Sequence, residues 1–325
     1  MRARRWVGLV LTLAAFCWPL QVFAEGQDYP TRPITLVVSQ AAGGGNDLVA
    51  RILADRLSQR LGKTVLVENR VGAGGVVAVT SVAHAAPDGY TLLLLGNSDV
   101  VNQYLHSNIQ YNVQRDFAPI SLITTSPLVL MRNSAFKGTT LPEVVALAKA
   151  SPGKIAVGNP GVGTVHHISV EMLNHAAGIE LVHVPYQGTM PSMNDFLANQ
   201  IPMIIANLIA VLPMMQSGSI HPVAVAGKVR SPLLPDVPTY GESDVTMNDI
   251  VSRSGVAVPK GTPPAIIDKL STEIRAVAAD PAFRKKIVEL GSIVGGGSTQ
   301  DYARQIEEDV RDFGTLIPAM NIKID

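Results

Sequence analysis

Cysteine is nearly missing from this 325-residue chain, and the only one, Cys17, falls in a stretch expected to be cut away. A mature protein without cysteine has no disulfide framework, no thiolate metal site and no cysteine nucleophile. An excess of charge is missing too. The 26 Lys and Arg residues balance 26 Asp and Glu. Arg2, Arg4 and Arg5 lie at the N-terminus, so the rest of the chain sets 23 basic against 26 acidic residues, a net charge of −3. Nucleic acid is therefore no expected partner, because it calls for a basic face. Beyond residue 24 no apolar run reaches the ~20 residues of a bilayer span. Also absent are a G-x-S-x-G elbow, an HExxH zinc motif and the lysine that a phosphate-binding P-loop places after its glycines.

What is present begins with an export signal. Arg2, Arg4 and Arg5 precede an apolar stretch from Trp6 to Leu20 that only Gly8, Thr12 and Pro19 interrupt. Val22-Phe23-Ala24 supplies a small-residue cleavage site. Residues 1–24 are thus expected to be a cleaved signal peptide, and the protein is expected in the periplasm. The bulky Phe16 before Cys17 speaks against lipidation there. The remaining length suits two domains of ordinary size.

Strand and helix patterns alternate along that remainder. Strands are expected over 34–39, 64–68, 90–96, 128–132, 154–158, 181–185, 202–206, 223–226 and 251–259, most of them Val/Leu/Ile-rich without clean alternation. Such runs suit strands covered on both faces. Helices are expected over 47–61, 75–86, 141–150, 164–177 and 192–198, with three more after residue 259. Thr140 to Glu143 reads as a capping box with Pro142 in its first turn. Asp280-Pro281 and Ser298 to Asp301 read as further helix starts. The alternation implies parallel sheets in an α/β architecture. Composition divides the chain into a first unit over 25–125, a second over 126–248 and a returning segment over 249–325. No internal repeat is apparent in the residues.

Two loops draw attention as anion sites. Gly43-Gly44-Gly45-Asn46-Asp47 follows an apolar strand and opens a helix. Glycine lets backbone approach a ligand, and the free N–H groups of a first helical turn favour a carboxylate or phosphate. Asn46 or Asp47 can instead serve as the helix cap. A dinucleotide reading is weak, because Leu48 stands where the third glycine belongs; no cofactor is expected. In the second unit, Asn159-Pro160-Gly161-Val162-Gly163-Thr164 repeats the device, with Gly161 and Gly163 offering backbone and Thr164 a hydroxyl. Asn97, Ser98, Tyr186 and Asn207 lie at C-terminal ends of expected strands, where open α/β folds place ligands. His167, Glu171 and His175 share one side of a helix, but a straight row does not wrap a tetrahedral ion. No metal is expected.

Several phrases resemble the tripartite tricarboxylate transporter receptor family, also called the Bordetella uptake gene family. They are Tyr29-Pro30-Thr31-Arg32-Pro33-Ile34, Val67-Glu68-Asn69-Arg70-Val71-Gly72-Ala73-Gly74-Gly75, Ala85-Ala86-Pro87-Asp88-Gly89-Tyr90-Thr91-Leu92 and Arg115-Asp116-Phe117-Ala118-Pro119-Ile120. Gly161-Val162-Gly163-Thr164-Val165-His166-His167, Val182-His183-Val184-Pro185-Tyr186 and Leu234-Pro235-Asp236-Val237-Pro238-Thr239 complete the series.

The resemblance implies a type II periplasmic-binding-protein fold, in which two Rossmann-like lobes flank a ligand cleft and two segments cross between them. It implies a monomeric receptor that traps a small organic carboxylate (a di- or tricarboxylate or an aromatic acid) and delivers it to a tripartite tricarboxylate-type membrane transporter. It also implies a grip made of backbone N–H groups, hydroxyls and water. The chain departs from the family pattern at several points. Ala41 and Ala42 replace two prolines, Gly45 and Asn46 replace Ala and Thr, and Ala206 stands where an Asp is common. Arg253 and Ser254 replace an aromatic pair. Arg253 is accordingly a candidate fork for a far carboxylate. The competing functions are a periplasmic sensor partner and an exported enzyme using Ser98, His167 and Asp47.

Overall fold

Short apolar runs bounded by glycine and proline become strands, and the amphipathic runs between them become covering helices. The computed structural model describes residues 29–325 apart from 216, 217, 248, 323 and 325. The expected signal peptide lies outside the described residues. The first half of the chain runs β1 (Ile34–Val38), α1 (Gly45–Leu61), β2 (Val65–Asn69), a 3-10 turn (Ala73–Gly75), α2 (Val76–Ala83), β3 (Thr91–Gly96), α3 (Asn97–Leu105), α4 (Val113–Asp116) and β4 (Phe117–Asn133). Then come α5 (Leu141–Ala150), β5 (Ile155–Asn159), α6 (Val165–Ala177), β6 (Leu181–Pro185), α7 (Thr189–Leu197), β7 (Met203–Asn207), α8 (Leu208–Met215) and β8 (Ile220–Ala226). The chain closes with β9 (Val251–Pro259), α9 (Pro264–Ala279), α10 (Pro281–Glu289), β10 (Ile293–Val294) and α11 (Thr299–Ala319).

Together these form a two-lobed α/β fold. The strand order is β2-β1-β3-β9-β4-β7-β5-β6, with β8 and β10 also pairing β4. β1 is parallel to both β2 and β3, and β5 is parallel to both β6 and β7. Each lobe therefore repeats one plan: a central first strand, a second strand at the edge, and a third returning on the other side. The residues hide this repeat because it lies in topology and not in identity.

Burial follows position. β7 is buried at every residue and β3 nearly so, whereas the edge strand β2 exposes alternate residues and the edge strand β6 exposes Val182 and Pro185. Successive side chains point to opposite faces of a sheet. Leu36, Leu92 and Leu94 pack with Leu53 and Leu57 of α1, while Val37, Leu93 and Leu95 pack with Val79 and Val82 of α2. In the other lobe Val129 and Met131 meet Met193 and Phe196 of α7, and Leu128 and Leu130 join the side that holds Val144 and Ile168.

β4 is far longer than the expected 128–132. Its first eleven residues pair β9, and its last six pair β7 and β8. Pro119 and Pro127 argue against a strand in a sequence reading, since proline removes a ladder donor. The structure accommodates them at irregular places. One register shift lies between Pro119 and Ser121, and Pro127 marks the point where β4 changes partners. Helices α3, α4 and α8 were not expected. α3 starts directly from β3 with three polar residues, and α8 is an apolar run without helical period, which sequence cannot tell from a buried strand. The expected box at Thr140 is half formed. Thr140 caps Glu143 N–H, but the Glu143 carboxylate reaches the amide and hydroxyl of Thr139 at 2.7 Å.

The last helix returns to the first lobe. Ser298 and Asp301 form its capping box, and Tyr302 donates to the Leu95 carbonyl at 2.7 Å. Arg253 on β9 holds Asp309 of α11 at 2.8 Å, with the carboxylate buried and the guanidinium largely so. Burial pushes the Asp309 carboxyl up to about 6, with Arg253 pulling it back down. Because this pKa is raised on folding, stability falls as pH climbs from the ordinary carboxyl range through about 6. Arg253→Ala should therefore cost about 3 kcal/mol at pH 8, where a buried carboxylate loses its cation. Urea unfolding at pH 5, where that carboxyl is protonated, should register a much smaller loss; equal losses at the two pH values would refute the ionic role.

Candidate ligand-binding site

A cavity of about 270 Å³ lies between the lobes. Its wall consists of four loops, and each follows a parallel strand at its C-terminal end. Residues 39–41 follow β1, and residues 71–75 follow β2. Pro160, Gly161, Val162 and Thr164 follow β5, and residues 185–188 follow β6. The loops correspond in pairs, because β1 and β5, and β2 and β6, hold equivalent places in the two lobes. Every one of them feeds a helix of eight residues or more: α1, α2, α6 and α7. The positive ends of α2, α6 and α7 thus border one small volume, while that of α1, at Gly43 to Gly45, faces the opposite lobe beside it.

Among the described residues at this wall, none carries a charged side chain. Several donors are nonetheless uncommitted. None of the described hydrogen bonds uses the amides of Ala73, Gly74 or Val162. The lobes touch where these loops meet. Gly74 has φ of 63°, and a Cβ there would stand 2.3 Å from the Val162 carbonyl oxygen. Gly163, with φ of 79°, would put a Cβ 2.2 Å from Asn102 Oδ1. Both positions combine left-handed backbone with a neighbour too close for any side chain. The amide of Val165, at the start of α6, donates across to Ser98 Oγ at 3.1 Å.

The residues expected to bind divide into three groups. Gly161, Thr164 and Tyr186 lie on the cavity wall. Thr164 also caps α6, accepting from His167 N–H and donating its own hydroxyl to the Gly161 carbonyl at 2.8 Å. Tyr186 donates its hydroxyl to Asp195 at 2.8 Å.

A second group lies at the contact between lobes. A side chain at Gly43 would meet Met190, one at Gly44 would meet Thr189, and one at Gly45 would meet Asn207 and Ile209. Gly163 and Ser98 belong here as well. Asn46 is buried near Gly96.

Asp47 braces the same loop from inside. α1 begins at Gly45 with Gly44 as its N-cap, so neither Asn46 nor Asp47 occupies the cap position. The Asp47 carboxylate accepts from Gly43 N–H, Arg51 Nε and Asn69 Nδ2, each at 2.9 Å. Burial would raise its pKa, but these donors outweigh burial and hold it below the ordinary range.

The third group surrounds the start of β9. Asn97 donates to the Val251 carbonyl at 2.7 Å and accepts from Arg253 N–H at 3.1 Å. Asn207, its counterpart in the other lobe, reaches Ser252 Oγ at 3.4 Å and meets His166 Nε2 at 2.8 Å. Arg253 directs its guanidinium to Asp309 and not to the cavity wall. The expectation of an Arg253 fork for a ligand carboxylate gives way to this internal pair, which follows from the carboxylate that α11 buries beside it.

Sequence reasoning did not assign the loop at 71–75 a binding role. Its run of three glycines after a strand, Gly72, Gly74 and Gly75, is as strong a signal as the one at 43–45.

The expected row of His167, Glu171 and His175 is not a cluster, since His175 is exposed away from it. His183 joins His167 and Glu171 instead, its ring 4.1 Å from that of His167. His167 Nδ1 accepts from the Gly163 amide at 3.3 Å, leaving the proton on Nε2. Burial pushes both His166 and His167 down to about 4, so both are neutral at pH 7. Ser98, His167 and Asp47, the dispersed set of an enzyme reading, form no described hydrogen bond to one another.

Comparison with known proteins fits this geometry. The family model described as tripartite tricarboxylate transporter family receptor matches residues 49–322. Protein BugT of Bordetella pertussis is 35% identical over 288 residues, covering 88% of this chain and 87% of that protein. Among solved structures, Rpa4515 of R. palustris with adipate superposes with a TM-score of 0.87 at 31% identity, covering 91% of this chain and all of that one. MatC (Rpa3494) from Rhodopseudomonas palustris with bound malate gives a TM-score of 0.85 at 28% identity, covering 89% and 100%. No helix among the described residues is long and apolar enough to cross a membrane. The matched span and the two-lobed fold with its inter-lobe cavity establish that the chain belongs to the tripartite tricarboxylate transporter receptor family, a family of periplasmic solute-binding receptors.

Proposed function

We propose that this protein is an exported receptor for a small dicarboxylate, which it captures between its lobes and hands to a tripartite tricarboxylate-type membrane transporter. The observation that carries this reading is the meeting of four strand-to-helix loops, three of them with their helix N-termini, around a cavity whose wall has no charged side chain among the described residues. Such a wall favours an anion through amide dipoles and bridging water, without the desolvation cost of a fixed cation. One helix end comes from the first lobe and two from the second, so each lobe can serve one end of a diacid. The cavity is just below the usual size for drug-like ligands, which suits a short acid with a few waters. The relatives that hold adipate and malate support the same class of ligand.

Capture needs no chemistry. The described residues of 29–125 and 249–325 make one lobe, those of 126–248 the other, and this arrangement is the closed one. An acid that touches both lobes only in that arrangement shifts the population toward it by its difference in affinity. The signal peptide is removed near Ala24, and the receptor acts as a monomer. Ser98, His167 and Asp47 serve packing and loop geometry, and the acid leaves unchanged.

A thermal-shift screen of mono-, di- and tricarboxylates tests this directly. Ligand at ~100 times its Kd should add about 2.7 kcal/mol of stability, with diacids of four to six carbons shifting the melting temperature most. A panel with no shift for any carboxylate would refute the reading, as would a product other than the starting acid in mass spectra after incubation. Gly74→Ala puts a methyl group into the Val162 carbonyl and should weaken diacid binding by at least ~10-fold, since tight binding requires closure. The unliganded variant should melt within a few degrees of the wild type, and calorimetry that finds unchanged affinity would remove these loops from the closed contact.

A further inference from the structure

Among the described residues, Ser39 is the only hydroxyl side chain that the first lobe contributes to the cavity wall. Behind it lies a carboxyl with no evident part in binding. Asp99, at the start of α3, is 1% exposed. Its Oδ1 stands 3.1 Å from Ser39 Oγ, and its Oδ2 accepts from Gly96 N–H at 2.8 Å. No cation pairs with it among the described contacts. The groups around it are polar but uncharged or already neutralised. From the segment after α3, Tyr111 donates its hydroxyl to the Asp99 carbonyl oxygen at 2.8 Å, and from α11 Tyr302 donates to Leu95. Burial raises both phenols, so they stay neutral. Arg253 of β9 and Asp309 of α11 cancel each other. The turn before α2 brings Gly75, where even a Cβ would be 3.3 Å from Asp99 Oδ1. Burial therefore pushes the Asp99 carboxyl up to about 7 against the pull of Gly96 and Ser39.

The protonation state of Asp99 dictates which way the Ser39 hydroxyl points. An ionised carboxylate only accepts, so Ser39 must direct its hydrogen to Asp99 and turn lone pairs toward the cavity. Once protonated, Asp99 donates to Ser39 Oγ, and the Ser39 hydrogen is free to face a ligand oxygen. We propose that Asp99 is a positioning residue which, through Ser39, couples capture of a carboxylate to the uptake of one proton from solution. This rests on the carboxylate-receptor reading above. The ligand's own charge strengthens the coupling, because a second anion nearby disfavours ionised Asp99.

The sign follows by linkage. Below the pKa of the free protein, affinity is independent of Asp99; above it, each pH unit costs ~10-fold. Calorimetric titration with adipate and with malate, each in two buffers of different ionisation enthalpy, should show uptake approaching one proton per ligand at pH 8. Affinity should fall by ~10-fold between pH 8 and pH 9. Both acids are fully ionised throughout that range.

Asp99→Asn copies the protonated acid, with its amide N–H toward Ser39 and its oxygen toward Gly96 N–H. It should bind as tightly at pH 9 as the wild type does at pH 7, with no proton uptake. Ser39→Ala removes the relay atom and should bind more weakly with a flat pH profile, which decides the matter even should Asp99→Asn fail to fold. Binding by the wild type without proton uptake, or a slope that persists in Ser39→Ala, would overturn the coupling and leave the receptor reading intact. If no acid of the carboxylate panel binds the wild type or Asp99→Asn at any pH, the carboxylate reading itself is overturned.

Discussion

Four loops, each opening a helix, converge on one small space, and the rest of the molecule is arranged around that convergence. Like ends of helix dipoles repel weakly, each carrying roughly half a positive elementary charge. The strand order makes the arrangement unavoidable. A central first strand followed by an edge strand and a return delivers two loops to the same end of each sheet, and facing the two sheets brings four together. Left alone, this crowding favours separation of the lobes. An anion placed among the ends reverses the sign of the interaction. On the proposed reading, opening and closing are the two answers of this electrostatic problem, with the guest choosing between them.

The segments that join the lobes are built to tolerate that choice. β4 is continuous through both, pairing β9 along its first part and β7 and β8 along its last. Asn97 and Asn207 hold equivalent places at the ends of β3 and β7, and each uses its side-chain amide on the start of β9. Asn97 satisfies the backbone of this strand at Val251 and Arg253, and Asn207 holds it from the other lobe through the Ser252 hydroxyl. Arg253 and Asp309 then fasten the same strand to the last helix. These residues belong to the joint and the cavity belongs to the glycine loops, although both lie at the C-terminal ends of strands.

Much of the fold was legible because its signals are local. Leu181–Pro185, Val251–Pro259 and Leu141–Ala150 carry their boundaries in glycine, proline and capping residues, and sequence placed all three. What remained hidden depended on partners distant in the chain. The length of β4 could not be read, since the prolines that argue against a strand are excused only by bulges and a change of neighbour. The candidate site was legible by half. Glycine loops after strands point to anion sites, yet nothing local says which side of a loop will face the cavity and which will face the opposite lobe. Gly43, Gly44 and Gly45 took the second role, and Gly72, Gly74 and Gly75 line the cavity. Arg253 misled for a related reason: its partner Asp309 lies 56 residues away and becomes adjacent only when the last helix returns.

A wall without charged side chains has an evolutionary consequence. On the proposed reading the groups that meet the anion are peptide amides, which every sequence adopting these turns must possess. Drift at surrounding positions can reshape the chamber without touching the grip, so new guests arise from changes in size and polarity alone. A lineage with such a chamber can multiply its copies and assign each to a different acid, while the means of holding the acid is never reinvented.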